Sequence, residues 1–107
     1  MELGSPANAS YRAHYFALLE AVAAHIQTRA DWMRALAYVK PSGANLFTHE
    51  NRLPDGCTCG CDVCNPEVWA TEGEYTPEAL YEFYQQQEAL LAAAFPGKSM
   101  VYALIQA

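Results

Sequence analysis

All four cysteines of the chain fall within eight residues, Cys57-Thr58-Cys59-Gly60-Cys61-Asp62-Val63-Cys64. Thiols this close cannot staple distant parts of a chain, and their density points to a bound soft metal rather than to a disulfide framework. A structural zinc ion takes four such ligands in a tetrahedron, with zinc-to-sulfur distances of about 2.3 Å. Cys61 and Cys64 form a Cys-x-x-Cys turn that meets this need directly. Cys57 and Cys59 must then approach from the other side, and Gly56 and Gly60 give the backbone freedom for the reversal. Four ligands within so short a run are crowded, because four-cysteine sites usually join two separated knuckles. His49 relieves that crowding if it replaces Cys59, and both ligand sets stand on the sequence. Copper(I) and an iron–sulfur cluster are the competing occupants, the first suited to Cys-x-Cys-x-x-Cys and the second usually held at wider spacings.

A closed thiolate shell leaves no open position for water and makes the metal a poor Lewis acid, so the expected role is structural and not catalytic. Glu50 and Asp62 are the nearest carboxylates in sequence for the opposite case. The competing class is accordingly a redox or metal-trafficking protein using Cys57 to Cys64. Other catalytic patterns fail on spacing. His49-Glu50 lacks the second histidine of a His-Glu-x-x-His helix, and the adjacent His and Glu do not make the His-x-Glu of a nucleobase deaminase. There is no phosphate-binding glycine loop.

The elements that must hold this segment are helical. After an arm at residues 1–9, Ser10 is a suitable cap for a helix whose Tyr11, Tyr15, Leu18, Val22 and Ile26 recur at steps of four and three. Thr28-Arg29-Ala30-Asp31 has the form of a capping box. A single helix from Ser10 to Val39 would be about 45 Å long, so a turn near Thr28 is expected. A second helix would then present Trp32, Met33, Leu36 and Val39, ending before Pro41. Residues 42–75 have no helical period and form the metal-binding loop, with weak strand signals at Asn45–Thr48 and Val68–Ala70 and with Trp69 packing the loop onto the helices. A third helix starts at Thr76 and Pro77, buries Leu80, Tyr84, Gln87, Leu91 and Phe95, and stops at Pro96-Gly97. Met100 to Ile105 is expected to form a short helix capped by Ser99.

The fold class is therefore mainly α, with three or four helices and a metal-ordered, Cys-rich loop between the second and third. Its 107 residues suffice for one domain. No apolar run approaches the roughly 20 residues of a membrane span. The opening Met-Glu-Leu-Gly-Ser-Pro lacks the basic and apolar regions of a secretory signal, so a cytoplasmic location is expected.

The formal charge is −6, and no Lys or Arg lies between Arg52 and Lys98. An acidic half repels phosphate and argues against direct nucleic-acid binding. Glu74, Tyr75, Glu78, Tyr81 and Glu82 instead combine aromatic and acidic groups in the manner of a protein interface for a basic partner. The plainer reading is that the aromatics Tyr75, Tyr81, Phe83 and Tyr84 serve the core and the acids solubility. The sequence thus points to a small zinc-binding adaptor or inhibitor, monomeric or homodimeric. One form of it would block an enzyme that binds nucleic acid. His14 and His25 share a helix face but lie too far apart to share a metal, and read as surface histidines.

Overall fold

A computed structural model describes residues 5–42 and 66–102. In chain order they form α1 (Ala9–Gln27), α2 (Ala30–Ala35), β1 (Tyr38–Val39), α3 (Pro66–Thr71), α4 (Pro77–Ala94) and β2 (Ser99–Met100). The fold is mainly α, as expected. The His49 and Cys57–Cys64 cluster and the strand signal at Asn45–Thr48 lie outside the described residues, as does the side chain of Trp69.

The cap of α1 sits two residues earlier than Ser10. Asn8 is extended at its ψ of 125°, and its Oδ1 accepts the Tyr11 N–H at 3.0 Å, satisfying one of the amides the first turn leaves open. Within the expected arm, the described residues 5 and 6 are held in place. Ser5 and Pro6 are buried, and the Ser5 hydroxyl donates to the Gly73 carbonyl at 2.5 Å. At the other end, Thr28 closes α1 and does not cap α2: its hydroxyl donates to the His25 carbonyl at 2.6 Å. The turn expected there does form, with Arg29 extended as the residue that opens α2.

Helix α2 is short because Leu36 leaves helical geometry at ψ 114° and the chain runs into Tyr38 and Val39, residues suited to an extended backbone. These pair in parallel with Ser99 and Met100, in the register Tyr38↔Ser99 and Val39↔Met100. The helix expected from Met100 is thus replaced, in its described part, by a strand. Alternation across the pair decides the outcome: Val39 and Met100 turn in onto the core, while Tyr38 and Ser99 face out. The strand signal at Val68–Ala70 is also overturned, since those residues belong to α3, whose Thr71 hydroxyl donates to the Glu67 carbonyl at 2.8 Å.

Helix α4 starts as expected, with the Thr76 hydroxyl accepting the Ala79 N–H at 3.0 Å and Pro77 in the first turn. It ends where Phe95 departs from helical angles, and Gly97 takes φ +78°, a left-handed conformation costly for a residue with a Cβ. Helices α1 and α4 lie parallel. Arg12 faces Glu82 near both N-termini, whereas Gln27 donates to the Ala94 carbonyl at 2.5 Å near both C-termini.

Between them the core has two parts. Phe83 is fully buried within an aromatic group of Tyr11, Tyr15 and Phe16, its centroid 5.4 Å from Phe16 and 5.5 Å from Tyr15. Farther along, Ala23, Leu91 and Phe95 are buried under Ile26, Met33, Leu36, Val39, Leu90 and Met100. The stripe expected on α4 holds, with Leu91, Phe95 and Gln87 buried and Leu80 and Tyr84 half-buried. That on α1 is turned. Leu18 and Val22 are 59% and 46% exposed because Phe16 must reach Phe83 and small Ala23 allows close approach to Leu91 and Phe95. Trp32, expected in the core, is 39% exposed and packs on His25, 5.3 Å between ring centroids.

This rotation has a direct consequence for stability. Leu91→Ala leaves a cavity and should cost about 2–5 kcal/mol, while Val22→Ala should stay within about 0.5 kcal/mol. Urea unfolding of the two variants in dilute solution measures the difference, and equal costs would mean that α1 is turned the other way.

Candidate functional site

The described residues hold the chain on both sides of segment 43–65, which carries His49, Cys57, Cys59, Cys61 and Cys64. On the near side, Pro41 is fully buried and the Ser42 carbonyl accepts from Gln87 Nε2 at 2.9 Å. The same Nε2 donates to the Tyr15 hydroxyl at 2.7 Å, which in turn lies 3.4 Å from the Ser42 hydroxyl. Both donor hydrogens of the Gln87 amide are thereby used within a fully buried residue, while its Oε1 has no hydrogen-bond partner among the described residues. On the far side, α3 is followed by a turn in which Glu72 and Gly73 both donate to the Val68 carbonyl, at 2.8 and 3.2 Å. Ser5 then ties Gly73 to the start of α1.

Gln87 stands out in sequence as the polar member of an apolar stripe; its partners Tyr15 and Ser42, 72 and 45 residues away, carry no such signal. The Ser5–Gly73 link spans 68 residues and is equally silent in the sequence.

The acidic-aromatic residues expected to meet a partner divide. Glu78, Tyr81 and Glu82 are exposed and, at steps of three and one, share the outer side of α4, with Glu82 at its edge nearest α1. Tyr81 is 65% exposed, a large aromatic surface left in water. Glu82 lies 3.9 Å from the largely buried Arg12 side chain, a weak pairing that leaves the carboxylate 64% accessible. Tyr75 is half-buried, and its phenol is pushed up first by desolvation and then by the nearby Glu78 charge. Glu74 is exposed and holds φ +54°, an unusual conformation for a residue with a Cβ. Phe83 belongs wholly to the core and not to this surface. Tyr84 is half-buried, edge-on to Phe83, and burial pushes its phenol up to about 12. Tyr102 meets the Tyr84 ring and donates to Glu88 Oε1; desolvation first, then that hydrogen bond, raise its pKa further.

Charge is distributed unevenly along the parallel helix pair. From α3 through α4 the described residues carry Glu67, Glu72, Glu74, Glu78, Glu82 and Glu88 and no Lys or Arg. Arg29 and Arg34 follow the C-terminus of α1, Lys98 follows that of α4, and Lys40 follows β1. Arg29 packs over Trp32 at 4.8 Å and chelates Asp31 through Nε and Nη2 at 3.0 and 2.8 Å, which lowers the Asp31 pKa. His14 donates from Nδ1 to the Ser10 carbonyl at 2.7 Å, since a carbonyl can only accept.

Among the described residues no group of His, Cys, Asp and Glu is placed to hold a metal, and no described helix is long and apolar enough to cross a membrane. Compared with known proteins, the chain matches no family model, no curated protein and no solved structure.

Two measurements probe this scaffold. Tyr15→Phe should cost about 0.5–1.5 kcal/mol, and the loss should be far smaller in a Gln87→Leu background, where the donor is already gone. Denaturation of all four chains in the cycle reads this coupling. For the tyrosines, the folded-state pKa lies above the ordinary value of 10.0, so the unfolded chain loses its proton first. Stability is then fully present below that ordinary value and falls as pH rises toward the folded one. Comparing Tyr84→Phe with the parent chain between about pH 9 and about pH 11 should show a shallower decline in the variant.

Proposed function

We propose that this protein is a small metal-binding adaptor or inhibitor, its Cys-rich segment closed around zinc and its acidic-aromatic arc on α4 engaging a basic protein. The observation that carries the reading is the exposed Tyr81 flanked by Glu78 and Glu82, on a helix without a Lys or Arg. A rigid aromatic ring beside carboxylates suits Lys- and Arg-rich surfaces, where it supplies contact area and a face for cations while the acids steer the encounter. Zinc held by Cys57, Cys59, Cys61 and Cys64, or with His49 in place of one, would supply folding energy that a segment rich in Gly, Asn, Asp and Pro cannot obtain from a core of its own. Competition with nucleic acid for a basic enzyme surface is the form of inhibition such an arc would perform.

The two halves of the proposal are tested separately. Purified protein should contain about one zinc per chain and no visible absorption band. Cys61→Ser with Cys64→Ser should release the metal and lower the melting temperature. Iron with a visible band would instead move the protein to the redox class. Independently, Glu78→Lys with Tyr81→Ala should weaken capture of lysine- and arginine-rich protein baits by at least about tenfold without loss of helicity. Undiminished capture by this variant would remove the arc as the docking surface.

A further inference from the structure

The outward arc of α1 differs from the rest of the surface. Ala13, His14, Ala17, Leu18, Ala21 and His25 are all exposed and recur at helical steps of three and four. None carries a fixed charge, although the water-facing side of a surface helix is ordinarily where charged residues collect. Glu20 lies on the flank of this arc, and Trp32 extends its apolar surface beyond His25 through their ring contact.

We infer that this arc is a dimer interface, and that its occupant is the α1 helix of a second copy of the same chain, packed antiparallel. Three features select a copy running in that direction. First, His14, Leu18, Ala21 and His25 follow the 4-3-4 spacing of a coiled-coil seam. Reversing a second helix about a two-fold axis between Leu19 and Glu20 sets Leu18 against the partner's Ala21 and His14 against the partner's His25. Each large aliphatic side chain meets a small one, the self-complementarity an isologous contact requires.

Second, charge complementarity favours the antiparallel sense. Because α1 and α4 are parallel, each chain has a net acidic end, where Glu74, Glu78 and Glu82 outweigh Arg12, and a net basic end, where Arg29, Arg34 and Lys98 outweigh Asp31. Antiparallel pairing sets the acidic end of one copy beside the basic end of the other, whereas parallel pairing would oppose like charges. Helix dipoles are opposed in the same favourable way. Third, the outer arc of α1 faces away from α4, so the acidic arcs of the two copies stay apart in a chain of net charge −6. The dimer does not depend on the proposed partner or metal, and it leaves both Tyr81 surfaces open.

The contact is modest. A seam from His14 to His25 is about 16 Å long, and one helix pair buries less than the roughly 1,600 Å² of a standard interface. Dissociation on the order of 10 µM follows, a dimer that forms and separates with concentration.

Sedimentation equilibrium of the full chain tests this, with circular dichroism confirming that each variant retains its helices. The parent chain should pass from monomer to dimer across about 1–100 µM. Leu18→Glu alone and Ala21→Lys alone should each raise the dissociation constant at least about tenfold, because each buries an unpaired charge. Mixing the two should restore dimer, since only the heterodimer sets Glu against Lys in one layer and keeps the Leu–Ala contact in the other. A parent chain that stays monomeric throughout that range would overturn the inference, as would single variants that dimerise normally. Single variants that stay monomeric when mixed would overturn the antiparallel register.

Discussion

A carboxamide with no exposure to water sits in the middle of the apolar stripe of α4, and much of the arrangement around it follows from the need to satisfy it. Gln87 cannot give up its two hydrogens to solvent, and leaving them unpaired would cost a substantial part of the stability of so small a domain. It therefore takes the Tyr15 hydroxyl from α1 and the Ser42 carbonyl from the chain beyond β1. Hydrophobic contact between Phe83 and its aromatic neighbours tolerates some sliding, but these hydrogen bonds do not, so the amide sets the register that the rings stabilise. Among the described residues the Gln87 Oε1 is left without a partner, the penalty of placing such a group there.

The same bonds relate the scaffold to the segment that holds the four cysteines. Ser42 is the last described residue before that segment, and it is tied to the centre of the helix pair rather than to a helix end. Gly73, beyond α3, is tied to Ser5 at the opening of α1. Fixing both flanks would lower the entropy that the proposed zinc has to overcome in gathering its ligands, since the ends of the excursion are already positioned. The acidic-aromatic arc belongs to the helix that supplies Gln87, so flank, register and outer surface share one rigid element.

How much of this was readable in the sequence depends on whether the signal was local. Thr76-Pro77 and Pro96-Gly97 bounded α4 because capping and termination act over one turn, and the stripe of Leu91 and Phe95 was plain because polar residues mark the other side. On α1 the pattern was ambiguous. Alanines occupy much of its outer side, leaving little polar contrast to show which way Leu18 or Phe16 must turn, and Phe83 made that choice. Thr28 could serve equally as the last residue of one helix or the cap of the next, and its hydroxyl found the His25 carbonyl. Tyr38 and Ser99 are paired across 61 positions, a relation no local window contains. Of the residues expected to meet a partner, Glu74, Glu78, Tyr81 and Glu82 are exposed and Tyr75 is half-buried, while their aromatic neighbour Phe83 is buried in the core. The cysteine ligands remain a matter of spacing and chemistry.

The parallel packing of α1 on α4 also bears on how the protein is made. Antiparallel neighbours can join through a short turn as soon as both exist, but parallel ones require the chain to travel back along their length first. The apolar side of α1 meets Phe83, Leu91 and Phe95, which leave the ribosome only long after α1 itself. Until then α1 has α2 for company and little to bury against. Assembly of the core must therefore wait until α4 has been made, and a chain truncated before α4 would expose the aromatic side of its first helix without means of covering it.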